Sequence, residues 1–277
     1  MRIAISGKMG SGKSTAAQIL HELYGFEIVS LATPLRHLAE LAKSPSVKEP
    51  LANSTVSVWS DFAYMLKLFE DTDNAIAAHQ RYLSLCYQCA EELKSEAKPR
   101  NFLQRLGTEV GRAIEPDVWV RHLLKTTQTR GCNFVCDDLR FENEATLLRA
   151  SGWELWRMEI SEEVREVRLA RVNGGVLPED HNERQLHLSE TELDGWDGRQ
   201  GWSIVLAGCE DYSQLKGMVE AAVWAGRAFG IRPSASVDGE CHDAAGNGVP
   251  ALQDDNCQQP QAGTPAPRGQ QGGGCGE

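Results

Sequence analysis

The sequence predicts an α/β fold, with a doubly wound, mostly parallel five-stranded sheet and a helical insertion. Short apolar segments alternate with segments of helical periodicity over residues 1–229, and strands separated by helices usually pair in parallel. A glycine-rich loop at residues 7–14 joins the first apolar segment to an amphipathic helix. A later apolar segment, residues 133–138, ends in two aspartates, which indicates a buried strand with polar groups at its carboxyl end.

The first part of the chain contains two predicted strands and three helical regions. Proline suits a first helical turn, and glycine commonly follows a last one. The predicted elements are, in order, a strand at residues 2–6, a helix from Lys13 to Tyr24 ended by Gly25, a strand at residues 28–29, a helix from Pro34 to Ala42, and a largely helical insertion at residues 44–98.

The second part repeats the alternation of strand and helix. Ser161 and the acidic residues after it have the character of a helix start. The predicted strands cover residues 133–138, 153–159 and 202–206, and the predicted helices cover residues 142–150, a segment opening at Ser161, and residues 212–229.

Residues 230–277 differ in composition from the rest of the chain. They contain almost no bulky apolar residues, so burial cannot offset their ordering entropy, and we expect a disordered acidic tail rich in Gly, Pro and Gln. The tail carries six acidic residues and two arginines, so four of the eleven net negative charges belong to it and seven to the body. An acidic body disfavours binding to extended nucleic acid.

The cysteines and the hydropathy pattern favour a cytoplasmic protein. Cys86 and Cys89 form the one close pair among eight cysteines, and no second pair completes a zinc site, so we expect ordinary, partly buried thiols. No apolar run approaches the roughly 18 residues of a membrane span. The chain starts directly with its first strand, and we expect neither a signal peptide nor a membrane partner.

The loop at residues 7–14 matches the GxxxxGK[ST] pattern of phosphate-binding loops. Glycines let backbone N–H groups surround phosphate oxygens, and the following helix directs its positive end at the same anion. Lys13 is expected to reach the β and γ phosphates, and Ser14 to supply a hydroxyl ligand to Mg²⁺. The predicted cofactors are ATP and Mg²⁺. The residues expected at the ATP phosphates are Gly7, Gly10, Ser11, Gly12, Lys13, Ser14 and Thr15.

Two sets of arginines indicate transfer of a phosphoryl group between phosphates. Such transfer needs cationic groups around both phosphates and a closure that excludes water. One set lies in residues 100–112, within a predicted acceptor-binding region at 99–130. The other comprises Arg165, Arg168 and Arg171, which their spacing places along one helical face in a predicted lid at 161–195. The alternative for the second set is solvated ion pairs with neighbouring glutamates.

Five segments occur in the order found in one kinase family: residues 7–14, residues 31–36, residues 103–109 with Arg112 and Trp119, residues 138–144, and residues 187–190. In these segments the chain resembles the deoxynucleoside monophosphate kinases of tailed bacteriophages, a branch of the nucleoside monophosphate kinase-like P-loop proteins. The resemblance covers residues 1–229 and implies a P-loop kinase domain that catalyses ATP + dNMP → ADP + dNDP. It also implies the host cell cytoplasm as the location.

The resemblance implies roles for individual residues. Lys13 would clamp the γ phosphate, Ser14 would bind magnesium, and Asp138 would hold magnesium or its water, with Asp137 as the alternative. Trp119 is expected either at the acceptor or in the core. The expected catalytic residues are Lys13, Arg140, Arg168 and Arg171. The expected substrate-binding residues are Arg36, Gln104, Glu109, Arg112, Trp119 and Arg140.

Two other functions remain open from the sequence. A related kinase acting on a different small acceptor, such as dephospho-coenzyme A, would keep the loop and change the arginine set. A P-loop ATPase acting as a nucleotide switch would keep the loop and need no acceptor. In each case the expected partners are small-molecule nucleotides, with a homodimer as a further possibility.

Overall fold

A five-stranded parallel sheet forms the centre of the protein in the computed structural model, which describes residues 1–43, 55–96, 99–172, 174–176, 191–196, 201–208 and 211–228. The strands pair in the order β2-β3-β1-β4-β5, and all four pairings are parallel. This arrangement confirms the predicted α/β class and the number of strands. The strands are β1 (Arg2–Ser6), β2 (Glu27–Val29), β3 (Phe134–Leu139), β4 (Glu154–Glu159) and β5 (Ile204–Ala207).

Helices cover both faces of the sheet, so the fold is doubly wound. Alternate residues of a strand point to opposite faces, and β1 accordingly divides its side chains between two apolar clusters. Ile3 and Ile5 pack with α1 and α10, whereas Ala4 packs with helices from the α2 to α8 region. The helices are α1 (Lys13–Tyr24), α2 (Thr33–Lys43), α3 (Thr55–Leu68), α4 (Thr72–Gln88), α5 (Ala90–Ser95), α6 (Arg100–Arg105), α7 (Val118–Gln128), α8 (Glu142–Ala150), α9 (Glu162–Val172) and α10 (Tyr212–Ala228).

The element boundaries follow the sequence signals closely. Helix α1 begins and ends at the predicted residues, and Gly25 closes it with a φ of 65° while its N–H bonds to the carbonyls of Leu20 and His21. One element was not predicted: Leu106–Arg112 forms a π-helical turn between α6 and α7. Such turns occur frequently at functional sites.

Several predicted regions lie partly or wholly outside the described residues. The insertion is helical from Thr55 to Ser95, as predicted, and its residues 44–54 and 97–98 are not described. Residues 177–190 of the predicted lid, which include the 187–190 motif, lie outside the described residues, as does the predicted tail at 230–277.

The expectations for cysteine and membrane chemistry can be compared with the described part of the chain. Cys86 and Cys89 are both buried free thiols, which matches the expectation of ordinary packed residues. Among the described residues no group of three or more His, Cys, Asp and Glu side chains is placed to hold a metal ion. Within the same residues, no helix combines the length and apolar character needed to cross a bilayer.

Candidate phosphate-binding site

The glycine-rich loop connects the carboxyl end of β1 to the start of α1, next to β3 and β4. Two glycines are required by its geometry. Gly7 has a φ of 152°, and a Cβ there would lie 2.7 Å from Ser11 Oγ and 2.8 Å from the carbonyl oxygen of Met158. Gly12, which precedes α1, has a φ of 99° in the left-handed region. The chain therefore turns tightly at both ends of the loop, which places the start of α1 beside it, as anion-binding loops require.

Lys13 folds back over the loop. Its Nζ donates to the carbonyl oxygens of Gly7 at 2.5 Å and Lys8 at 2.8 Å. The N–H of Ser11 also donates to the carbonyl oxygen of Lys8, at 3.1 Å. The ammonium group is thus held at the loop, where its charge is available to a phosphate.

The aspartate beside Ser14 is Asp137, which favours the alternative over Asp138 as the magnesium ligand. Ser14 Oγ donates to Asp137 Oδ2 at 2.5 Å. The Asp138 carboxylate instead accepts hydrogen bonds from Ser30 Oγ at 2.5 Å and from the N–H groups of Leu31 and Ala32 at 2.9 and 3.0 Å. Asp138 therefore orders the segment that leads into α2, and Asp137 takes the position beside the predicted magnesium ligand.

The oxygen pair of Ser14 and Asp137 suits magnesium. Hydroxyl and carboxylate oxygens are the ligands that Mg²⁺ prefers, and the ion keeps several waters. Ser14 is exposed at the start of α1 and Asp137 is half-buried, so a hydrated ion has access to both. The residues present fit the implied metal.

The three arginines of α9 differ in burial and in their contacts. Arg165 pairs with Glu162, as in the ion-pair alternative, but it is buried and not solvated. Arg168 Nη1 lies 3.5 Å from the carbonyl oxygens of Gly10 and Ser11. Arg171 is exposed. The guanidinium of Arg168 thus lies at the loop carbonyls, and the side-chain stem of Arg165 packs beside Gly10, where a Cβ would lie 3.2 Å from Arg165 Cγ.

Arg112 is held by residues around the start of α8. Its guanidinium contacts Glu144 Oε1 at 3.2 Å and Asn143 Oδ1 at 2.9 Å, and it stacks 3.6 Å from the centre of the Phe141 ring. Glu144 is buried, and burial raises its pKa to about 7 while the Arg112 guanidinium acts in the opposite direction.

Arg140 follows β3 and belongs to the same neighbourhood. Its N–H donates to Glu144 Oε2 at 3.2 Å, as does the N–H of Phe141. The Glu144 carboxylate thus accepts the Arg112 guanidinium and the backbone N–H groups of Arg140 and Phe141, a short distance along the chain from Asp137. A second cationic site formed by Arg112 and Arg140 stays a prediction.

Trp119 belongs to the core, which corrects its assignment to substrate binding. It is 4% exposed, and its Nε1 donates to the carbonyl oxygen of Gly107 at 3.1 Å. Its ring packs against Gly111, where a Cβ would lie 2.0 Å from Trp119 Cζ2. The core alternative stated for this residue holds.

Three further predicted substrate-binding residues are exposed and lie on α2, on α6 and in the π-helical turn. Arg36 lies on α2 and Gln104 on α6. The Glu109 carboxylate forms two hydrogen bonds of 3.0 Å with Arg105. The Arg105 guanidinium lowers the pKa of Glu109. Their part in acceptor binding stays a prediction.

Sequence reasoning missed Arg157, a buried arginine in β4. It is 9% exposed, and its Nη1 donates to Ser6 Oγ, at the end of β1, at 3.1 Å. The available signal was an arginine between two apolar residues, Trp156 and Met158, of a predicted strand. A charge at such a position requires partners, and here they lie at the base of the loop.

No protein-family model matches the chain, and no curated protein matches it. Among solved structures, the unliganded structure of a sugar kinase from Janibacter sp. HTCC2649 is 17% identical, with 81% of this chain and 93% of that chain covered and a TM-score of 0.40. The structure of TT1252 from Thermus thermophilus is 18% identical, with 81% and 96% covered and a TM-score of 0.42. Similarities of this size identify neither a family nor a reaction for this chain.

Proposed function

We propose that the protein transfers a phosphoryl group from Mg-ATP to a deoxynucleoside monophosphate, giving ADP and a deoxynucleoside diphosphate. The observation that carries the proposal is the contact of Ser14 with Asp137 beside a loop that holds Lys13. These three groups supply the cation and the oxygen ligands that a magnesium-bound nucleoside triphosphate needs. The choice of acceptor rests on the family resemblance.

The donor phosphates would lie in the glycine loop. Lys13 would leave the carbonyl oxygens of Gly7 and Lys8 and neutralise the γ phosphate, and Arg168 stands at the same loop to share that charge. Magnesium, held by Ser14 and Asp137, would supply charge neutralisation between the β and γ phosphates. Catalysis in this reaction class comes mainly from positioning and electrostatic stabilisation.

The acceptor phosphate would bind at Arg140, with Arg112 and Arg36 as further contacts. An oxygen of the acceptor phosphate attacks the γ phosphorus, the bond to the β-phosphate oxygen breaks, and ADP leaves. A phosphate oxygen is already anionic, so the step requires no general base. Cationic groups at both phosphates would favour a phosphate acceptor over water.

The decisive test is ADP formation from Mg-ATP by the purified protein, alone and with each of dTMP, dGMP, dCMP, dAMP and their ribose counterparts. We expect stimulation by one or more deoxynucleotides, with an equal amount of the matching diphosphate formed. Hydrolysis that ignores every acceptor would favour a nucleotide switch and overturn the proposal. If no ADP formed with or without any of these nucleotides, the acceptor would be a different molecule.

Lys13→Ala tests the assignment of the loop. Removing a cation that acts on the developing charge should lower turnover by on the order of 10²–10³. Lys94→Ala is the matched control, because Lys94 forms an exposed pair with Glu91 on α5 at 2.6 Å. Near-normal turnover by Lys13→Ala, with the control unchanged, would contradict the assignment.

A further inference from the structure

A short segment between β4 and β5, residues 191–196, is anchored against the phosphate loop. Leu193 is 4% exposed and belongs to the main apolar cluster. The N–H of Asp194 donates to the carbonyl oxygen of Thr191 at 2.9 Å, and Glu192 Oε1 accepts the N–H of Glu142, at the start of α8, at 3.0 Å. The backbone of this segment is therefore fixed next to both candidate phosphate sites.

The Asp194 carboxylate joins two cations. Its Oδ1 lies 2.6 Å from Arg157 Nη2, and its Oδ2 lies 3.1 Å from Lys8 Nζ. Arg157 in turn donates to Ser6 Oγ. One carboxylate thus links the residues on either side of Gly7, which are Ser6 at the end of β1 and Lys8 in the loop.

Lys8 is the residue whose carbonyl organises the loop. That carbonyl accepts both Lys13 Nζ and the N–H of Ser11. A side chain that is held at its ammonium group restricts the backbone to which it belongs, so the Asp194 contact limits where the Lys8 carbonyl can lie. The position of Lys13 depends on that carbonyl.

We infer that Asp194 is a positioning residue of the nucleotide site, acting through Lys8 to preorganise the phosphate loop for Mg-ATP. The inference rests on the proposed function and adds a residue that lies far from the loop in sequence. Without the carboxylate, Mg-ATP would have to order the loop when it binds. The free energy of that ordering would weaken the affinity for Mg-ATP. The ligand affected is the triphosphate, and the acceptor is not.

Direct titration of Mg-ATP into the protein, by calorimetry and without an acceptor, tests this. Asp194→Asn keeps an oxygen for Arg157 and removes the charge that pairs with Lys8. We expect its dissociation constant for Mg-ATP to rise by on the order of five- to twentyfold, and Asp194→Glu to recover part of the loss. In turnover assays, KM for ATP should rise with little change in KM for the acceptor.

Lys8→Met and the double variant that combines it with Asp194→Asn decide whether Asp194 acts through Lys8. We expect Lys8→Met to weaken Mg-ATP binding to a similar degree and the double variant to be no weaker than the worse single variant. Because Lys8→Met leaves Asp194 paired with Arg157, it keeps the test valid even if Asp194→Asn folds poorly. Multiplicative effects, or tighter Mg-ATP binding by Asp194→Asn, would overturn the inference.

Glu27→Gln is the matched control. Glu27 pairs with Arg130 at 2.6 Å, and its side chain is 38% exposed, against 32% for Asp194. It lies at the start of β2, an edge strand, and therefore at the amino end of the parallel sheet, whereas the loop follows the carboxyl end of the central strand β1. Its loss should leave Mg-ATP binding unchanged. Wild-type protein that fails to bind Mg-ATP would overturn the proposed function as well, whereas wild-type affinity in Asp194→Asn would overturn this inference alone.

Discussion

Replacing Gly111 with alanine should damage the protein through one identifiable contact. Gly111 lies in the π-helical turn, and the ring of Trp119 packs directly on its backbone. A Cβ at this position would lie 2.0 Å from Cζ2, 2.6 Å from Cε2 and 3.0 Å from Cη2 of that ring. These distances are far below van der Waals contact, so either the ring or the turn must move.

The expected cost follows from what the ring would lose. Inserting a group into a packed core typically costs about 1–3 kcal/mol. Moving the indole also breaks the bond from Trp119 Nε1 to the carbonyl oxygen of Gly107, and a buried donor without an acceptor costs about 1–3 kcal/mol. Together these give a loss of about 2–6 kcal/mol in the free energy of unfolding.

Urea denaturation of the wild type and of Gly111→Ala measures this loss. Gly217→Ala is the control, because Gly217 lies in α10 and no atom lies within 4 Å of the added Cβ. The control should gain about 0.5–1 kcal/mol from helix propensity. If Gly111→Ala lost less than about 1 kcal/mol, the description of Trp119 as a core residue fixed against the turn would be wrong.

Three further substitutions test the roles of Asp137, Asp138 and Asp61. Asp137→Ala should lower turnover at saturating Mg²⁺ by on the order of 10–100-fold with little change in urea midpoint. Asp138→Ala should instead lower the free energy of unfolding by about 2–4 kcal/mol, because it leaves the donors of Ser30, Leu31 and Ala32 without their acceptor. Loss of turnover in Asp138→Ala together with loss of stability in Asp137→Ala would assign the magnesium role to Asp138. Asp61 is buried, and its Oδ2 has no hydrogen-bond partner. Burial raises the pKa of Asp61 from 3.8 to about 6, so the folded state binds this proton more tightly than the unfolded state does. The free energy of unfolding of the wild type should therefore fall as the pH rises between those two values. Asp61→Asn should remove on the order of 2–3 kcal/mol of that fall, measured by urea denaturation at pH 4.5 and 7.5; parallel profiles for the two proteins would contradict it.

Much of the fold could be predicted because its signals are local. Helix α1 lies between the glycine loop and Gly25, and β1, β3 and β4 are apolar segments with clear ends. The π-helical turn carries no such signal, and its packing against Trp119 joins residues of different elements. Trp119 itself could not be assigned to core or site from its type, since an aromatic residue serves either.

The choice between Asp137 and Asp138 shows what strand register decides. Adjacent strand residues point to opposite faces, so one of two neighbouring aspartates must face Ser14 and the other must face away. The pairing of β1 with β3 shifts register between Ala4 and Ser6, and a shift of one residue exchanges the two faces. A sequence pattern that identifies the strand cannot determine which aspartate is which.

The sequence by itself determined the phosphate loop, the strand before it and the helix after it, and the parallel α/β class. It also showed that the chain has enough arginines to bind a second phosphate. Those features depend on residues close together in the chain, where glycine conformation and apolar periodicity act directly. The tertiary structure alone decided that Ser14 meets Asp137, that Arg168 reaches the loop while Arg165 is buried with Glu162, and that Asp194 holds Lys8. Ser14, Arg168 and Lys8 meet partners more than a hundred residues away, and α9 turns Arg165 inward, so these contacts depend on how the strands align and the helices pack.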